Sequence, residues 1–321
     1  MKIYAAAVVC VVLTVISCSN PFSLNSLSSA EKKMLKKISE KEFTVSSVSA
    51  EENGALISAA RKFAADSQPE YAESILKCVN MAALVFPEDK MTYFYTRAII
   101  AAEKNRHGDA VRDVKSSIDE CSRIISSKDQ PQKTVAFARI FLADLYSFSS
   151  VLSRTMGKND EALQFNESAS AIYASYPDYG LQKQSVICYI MNTELYIKKK
   201  NFSNAVISLQ KAEAVFNANK KDLDEKEWGE LYSSFSTAKL DYMYQCGSFN
   251  QAEIDRYFDT ALDVAEKAGS NKSLARIWLM AAYAAEKKDK GLELAFECAM
   301  KSEGYAKKSG DKVLLAVVEN K

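Results

Sequence analysis

One histidine limits the acid–base chemistry open to this chain. His107 stands beside Gly108 at an expected turn, and no second histidine exists in the 321 residues. A multi-histidine metal site is excluded, and a Ser-His-Asp or Cys-His arrangement has only this one base. A lone turn histidine serves most simply as a solvated or capping group. No G-x-G-x-x-G or G-x-x-x-x-G-K-[ST] run is present to cradle a phosphate. Carboxylates are plentiful, but they sit beside lysines at helical spacing, as in Glu297 with Lys301 and Glu303 with Lys307. Nothing singles out a pair for hydrolysis. The residue types predict no catalytic group, no metal site and no cofactor.

The thiols pose a different question. Cys78, Cys121, Cys188, Cys246 and Cys298 lie 43, 67, 58 and 52 residues apart, with no Cys-x-x-Cys. An odd count at wide spacing does not make a disulfide framework. Apolar flanks predict buried thiols, with at most one opportunistic bridge. The remaining two, Cys10 and Cys18, belong to MKIYAAAVVCVVLTVISCSN, where one positive charge at Lys2 precedes an apolar run from Ile3 to Ile16. That run is shorter than the roughly 20 residues a membrane-crossing helix needs. A short apolar run behind a basic start, ending in small residues, is the pattern of a cleaved secretory signal over residues 1–17.

Val15-Ile16-Ser17-Cys18 resembles the lipobox of bacterial lipoproteins, an aliphatic and a small residue before an obligatory cysteine. The resemblance implies that Cys18 is the mature N-terminus, carrying a thioether-linked diacylglycerol and an amide-linked acyl chain such as palmitate. At about 0.8 kcal/mol per buried methylene, two or more chains anchor firmly without a spanning helix. An ordinary signal with an incidental cysteine is the competing reading. The expected location is a bacterial cell membrane or outer membrane, facing the periplasm or the exterior.

Removing residues 1–17 leaves 41 basic and 41 acidic side chains. Such a balance argues against long-range attraction to nucleic acid or to anionic lipid. Gly is only 10 and Pro only 5, so turns are few and the composition favours helix. Residues 18–50 read as a lipidated N-terminus and flexible tether, Ser-rich over 19–29, with a short charged helix in AEKKMLKKISEK. From residue 51 to 321 the texture is helix, short break, helix. Breaks are expected at Gln68-Pro69, Phe86-Pro87, His107-Gly108, Gln130-Pro131, Gly157, Pro177, Gly247, Gly269 and Lys290-Gly291. No segment there alternates as a strand would, and about twelve helices are predicted, an all-α chain.

A small-x3-bulky-x2-small pattern recurs: Ala110, Val114, Ser117; Ala162, Asn166, Ala169; Ala205, Leu209, Ala212; Leu292, Phe296, Ala299; and Ile75, Val79, Ala82 before Pro87. FDTALDVAEKA is a looser copy through Phe258 and Ala261. These residues resemble the second helix of the tetratricopeptide repeat (TPR), and GKNDEAL and KKNFSNAV resemble its inter-helix turn. First helices fit less well: Tyr189 and Tyr196 keep the family's aromatic spacing, but Asn192-Thr193 stands where Leu-Gly is usual. The resemblance implies a right-handed superhelix of about six antiparallel helix pairs, an α-solenoid whose first helices line a concave groove.

Counted from the small-residue anchors, that groove would present Thr92, Tyr95 and Ile99, then Asp144, Ser147, Val151 and Arg154. Ile187, Ile190, Glu194 and Ile197 would follow, then Thr237, Asp241 and Tyr244. The mixture lacks the Lys/Asn/Arg clamp by which some family members grip a C-terminal carboxylate. It suits a protein or peptide segment with apolar anchors and some positive charge, or an apolar small molecule. The expected function is a membrane-anchored, non-catalytic adaptor of the bacterial envelope. The alternative is the ligand-binding component of an envelope transporter holding a hydrophobic small molecule; an enzyme is the third and least supported reading.

Overall fold

The computed structural model describes residues 27–38, 45–219, 226–286, 292–310 and 312–319. Cys18, the expected signal over 1–17 and the Lys290-Gly291 break lie outside them. The described residues are helical, with no strand among them. In chain order the helices are α1 (Ser29–Ile38), α2 (Ala50–Ala65), α3 (Pro69–Leu76), α4 (Pro87–Glu103), α5 (His107–Ser126), α6 (Gln132–Thr155) and α7 (Asn159–Ala174). Then come α8 (Gln182–Lys198), α9 (Phe202–Ala218), α10 (Lys226–Cys246), α11 (Gln251–Lys267), α12 (Asn271–Glu286), α13 (Leu292–Ser309) and α14 (Lys312–Glu319). The chain divides into two compact units, one ending at Ile172 and the other comprising Tyr173–Lys321.

Local chemistry starts and stops these helices. Ser49 and Glu52 form a reciprocal capping box at α2, and Asn250 and Glu253 repeat it at α11. Pro69 and Pro87 open α3 and α4, where a missing N–H costs nothing. Hairpin turns share one device. A residue at positive φ (Asn105, Gly157, Lys200 or Gly269) ends the preceding helix. The next N–H then reaches back five residues: Arg106 to the Ala101 carbonyl, Lys158 to Ser153, Asn201 to Tyr196 and Ser270 to Ala265.

Within each unit, consecutive helices pack in pairs, and the first helix of each pair also meets the first helix of the next. Small residues make the seams. Ala110, Ser117, Ala162, Ala169, Ala205 and Ala212 are fully buried, as the sequence pattern requires. Ser117 Oγ donates to the Met91 carbonyl at 2.8 Å and Ser302 Oγ to the Ala275 carbonyl at 2.7 Å, one equivalent bond in two different pairs. Aromatic rings fill the wider gaps. Tyr95 lies edge-on to Phe141 and Phe148 in the N-terminal unit, and Phe216 meets Trp228, Tyr232 and Phe235 in the C-terminal unit. The long apolar helix α6 has more than half of its most apolar window buried, as a core helix does.

Two expectations are corrected. The pattern Ile75, Val79, Ala82 does not lie on one helix: α3 stops at Leu76, a 3-10 turn occupies Met81–Ala83, and Ala82 is exposed. Asn80 breaks the helix there, its side chain accepting from Ala82 N–H while Asn53 pairs with its backbone. In α13 the buried stripe is Ala295, Cys298, Ser302 and Ala306, whereas Leu292 and Phe296 are exposed. The short charged helix expected within residues 18–50 is α1, and it packs on α2. Leu27 and Met34 are buried, Lys37 pairs with Glu52, and Glu31 accepts from Ser58 Oγ and Lys62 Nζ, each at 2.6 Å.

Candidate functional site

The first helices of the C-terminal unit, α8, α10 and α12, lie side by side and carry a cluster of charge. Arg276 on α12 donates to Glu194 Oε1 on α8 at 2.6 Å, joining residues 82 positions apart. Asp241 on α10 lies in the same field. Burial pushes its carboxyl above the ordinary aspartate range, and Glu194 adds to the rise. The Gln245 amide, donating to Oδ1 at 2.7 Å, and the charges of Arg276 and Lys198 oppose it. Two carboxylates, two cations and an amide thus share one partly enclosed surface. Such an arrangement recognises charge; it holds no nucleophile–base pair.

Tyr244, one turn after Asp241, packs instead against Leu240, Met243 and Ile254, and burial raises its phenol to about 12. Ile190 is buried in the core with Phe216, Trp228 and Phe235 rather than presented on the surface. Its neighbours Ile197 and Thr237 are buried as well.

In the N-terminal unit the expected groove residues divide in the same way. Tyr95 and Ile99 are core residues, 1 % and 3 % exposed, so neither is offered to a partner. Hydrophobic burial explains the correction: an aromatic or branched side chain at the edge of the apolar stripe gains more by turning inward. Arg61 on α2 lies over the Tyr95 and Phe141 rings at 5.5 and 5.8 Å. The half-buried Asp144 on α6 is near enough that its charge adds to the rise of the Tyr95 phenol and the Cys121 thiol, which burial chiefly causes. Arg154 is half-buried in the last turn of α6.

A cavity of about 250 Å³ opens among α3, α4 and α5. Its walls are ionic: Arg97 meets Asp113 at 3.3 Å, Arg106 meets Glu73 at 3.0 Å, and Arg112 pairs with Asp109. Among the described residues no three His, Cys, Asp or Glu side chains are grouped to hold a metal ion. The five described cysteines are free thiols, Cys121, Cys188 and Cys298 buried; burial raises Cys121 to about 12, which leaves it unreactive.

Sequence reasoning therefore placed Glu194 and Asp241 together and missed Arg276, Lys198, Gln245 and Arg61. Extending the same count to the sixth first helix would have reached Arg276. Arg61 lies in the first hairpin, where the repeat pattern is broken by the end of α3.

No family model matches this chain, and no curated protein sequence matches it. A solved structure does: the crystal structure of aspartyl phosphate phosphatase F from Bacillus subtilis, with a TM-score of 0.55 at 14 % identity. The match covers 94 % of this chain and 79 % of that one. At that identity the likeness is one of fold: an all-α chain of TPR-like helix pairs.

Proposed function

We propose that this chain is a membrane-anchored, non-catalytic TPR-like adaptor of the bacterial envelope. It binds a protein or peptide partner along its first helices and is held at the membrane through lipid on Cys18. The observation that carries the binding site is the Glu194–Arg276–Asp241 cluster, where three helices distant in sequence converge their charged groups. A lysine or arginine of the partner, seated beside Asp241, would offset the penalty that burial imposes on that carboxylate and favour its charged form. The neighbour's phosphatase name is not carried over, because the cluster supplies neither a nucleophile with a base nor a metal site. The transporter reading gains no support from the cavity among α3, α4 and α5, whose lining is mainly charged.

The test is a photo-crosslinking amino acid at position 245, irradiated in the native envelope. We expect one reproducible protein adduct, lost when Asp241→Lys is introduced into a chain of unchanged helix content. A protein adduct that survives Asp241→Lys removes the cluster from the site. A stoichiometric small molecule in native mass spectrometry, with no protein adduct, replaces the adaptor by the transporter component.

A further inference from the structure

The most exposed large apolar side chains of the C-terminal unit lie on α13, among them Leu292 and Phe296 of the repeat pattern. Leu292 is 75 %, Phe296 68 % and Met300 53 % exposed. Spaced four apart, they form one ridge over two helical turns, continued by the Glu303–Lys307 ion pair. About a third of a turn round the helix, α13 is engaged within its own unit: Ala295, Cys298, Ser302 and Ala306 are buried, and α14 packs there through Val318, Leu314 and Leu315. The ridge is thus a second apolar face, exposed on a helix that already packs through its small-residue stripe.

The adjoining stripe indicates what covers it. Glu293, Glu297, Lys301, Gly304 and Lys308 follow one another at steps of four, four, three and four, so they share one flank of the ridge. Acids occupy its first half and bases its second. In a two-fold pair of antiparallel helices, each flank meets the same flank of the other copy, run backwards. A two-fold through Met300 therefore sets Glu293 and Glu297 against Lys308 and Lys301 of the second copy, while the helix dipoles oppose. It also brings Phe296 level with Gly304 of that copy. Gly304 sits in mid-helix with no heavy atom within 4 Å of where a Cβ would stand, so neither its backbone nor its own unit calls for glycine.

We propose that α13 is an isologous interface at which two copies of this chain pair antiparallel, with Leu292, Phe296 and Met300 at its centre.

Sedimentation equilibrium of residues 19–321, which include every described residue, tests this. The expected result is a mass that doubles as concentration rises. The double variant Glu293→Lys with Glu297→Lys carries only positive charge along the flank, and Lys301→Glu with Lys308→Glu only negative. Each alone should weaken self-association at least tenfold with unchanged circular dichroism. Mixed in equal amounts, the two should restore a dimer, because each positive half then meets a negative one. Phe296→Ser with Met300→Ser should abolish the dimer in either setting. A wild-type chain that stays monomeric throughout, or reversed chains that pair no better mixed than alone, would overturn the proposal.

Discussion

Glu31 and Glu103, both carboxylates of the N-terminal unit, are driven in opposite directions by their surroundings. Burial alone would raise Glu31, but hydrogen bonds from Lys62, Ser58 and Ser28 outweigh it and hold the carboxyl below its ordinary value. Its stabilising effect is present above the unfolded pKa and disappears as pH falls through the lowered one. Glu31→Gln should cost about 2–3 kcal/mol near neutrality, with the gap closing below about pH 4. Glu103 is raised to about 7, first by burial and then by Glu70, against one hydrogen bond from Ser67; its Oε2 has no hydrogen-bond partner. Here the sign reverses: stability is full below the unfolded pKa and falls as pH climbs through the raised one. Glu103→Gln should therefore stabilise by about 1–3 kcal/mol near pH 8 and by almost nothing near pH 4. Urea midpoints at both values check the pair; a Glu103→Gln gain independent of pH would contradict the raised carboxyl. At this scale the candidate site was half legible. Glu194 and Asp241 followed from counting along the repeats, whereas no local spacing shows that Glu194 meets Arg276, 82 residues away.

Helices were easier to read than the faces they bury. Ala205, Leu209 and Ala212 lie on the one strongly apolar stripe of α9, and all three are buried. Helix α13 has two stripes of the same period, one of Leu292, Phe296 and Met300, the other of Ala295, Cys298, Ser302 and Ala306. Periodicity cannot rank them, because both satisfy it. Packing does: the small stripe lets α12 approach until Ser302 Oγ reaches the Ala275 carbonyl, which the bulky stripe would prevent. The turns carry a further prediction. Gly157 and Lys200 end α6 and α8 in the same left-handed conformation, yet only Gly157 accepts it without strain. Lys200 is exposed, with its backbone N–H bonded to the Ile197 carbonyl. Lys200→Gly should stabilise by about 1 kcal/mol and Gly157→Ala should destabilise by a similar amount. Thermal unfolding of both variants reads the two signs, and a destabilised Lys200→Gly would mean that the lysine has a role which turn geometry does not show.

For the whole molecule, the charge balance makes the proposed anchor unusually easy to test. With 41 basic and 41 acidic side chains beyond residue 17, a chain cleaved there would have no excess positive charge with which to hold an anionic surface. Helix α1 is rich in lysine, but Lys62 and Glu52 already pair with Glu31 and Lys37, so part of its charge is spent within the fold. Attachment would then rest on acyl chains alone, at about 0.8 kcal/mol for each buried methylene, a term that added salt does not weaken. The expected pattern is retention of the wild-type chain on membranes through a high-salt wash, with complete release of Cys18→Ala under the same conditions. Salt-sensitive release of the wild type would point to an electrostatic hold that the composition does not provide. A Cys18→Ala chain that stays bound through the wash would remove the lipid anchor, and the first helices of the C-terminal unit would then have to find their partner without being concentrated at a membrane.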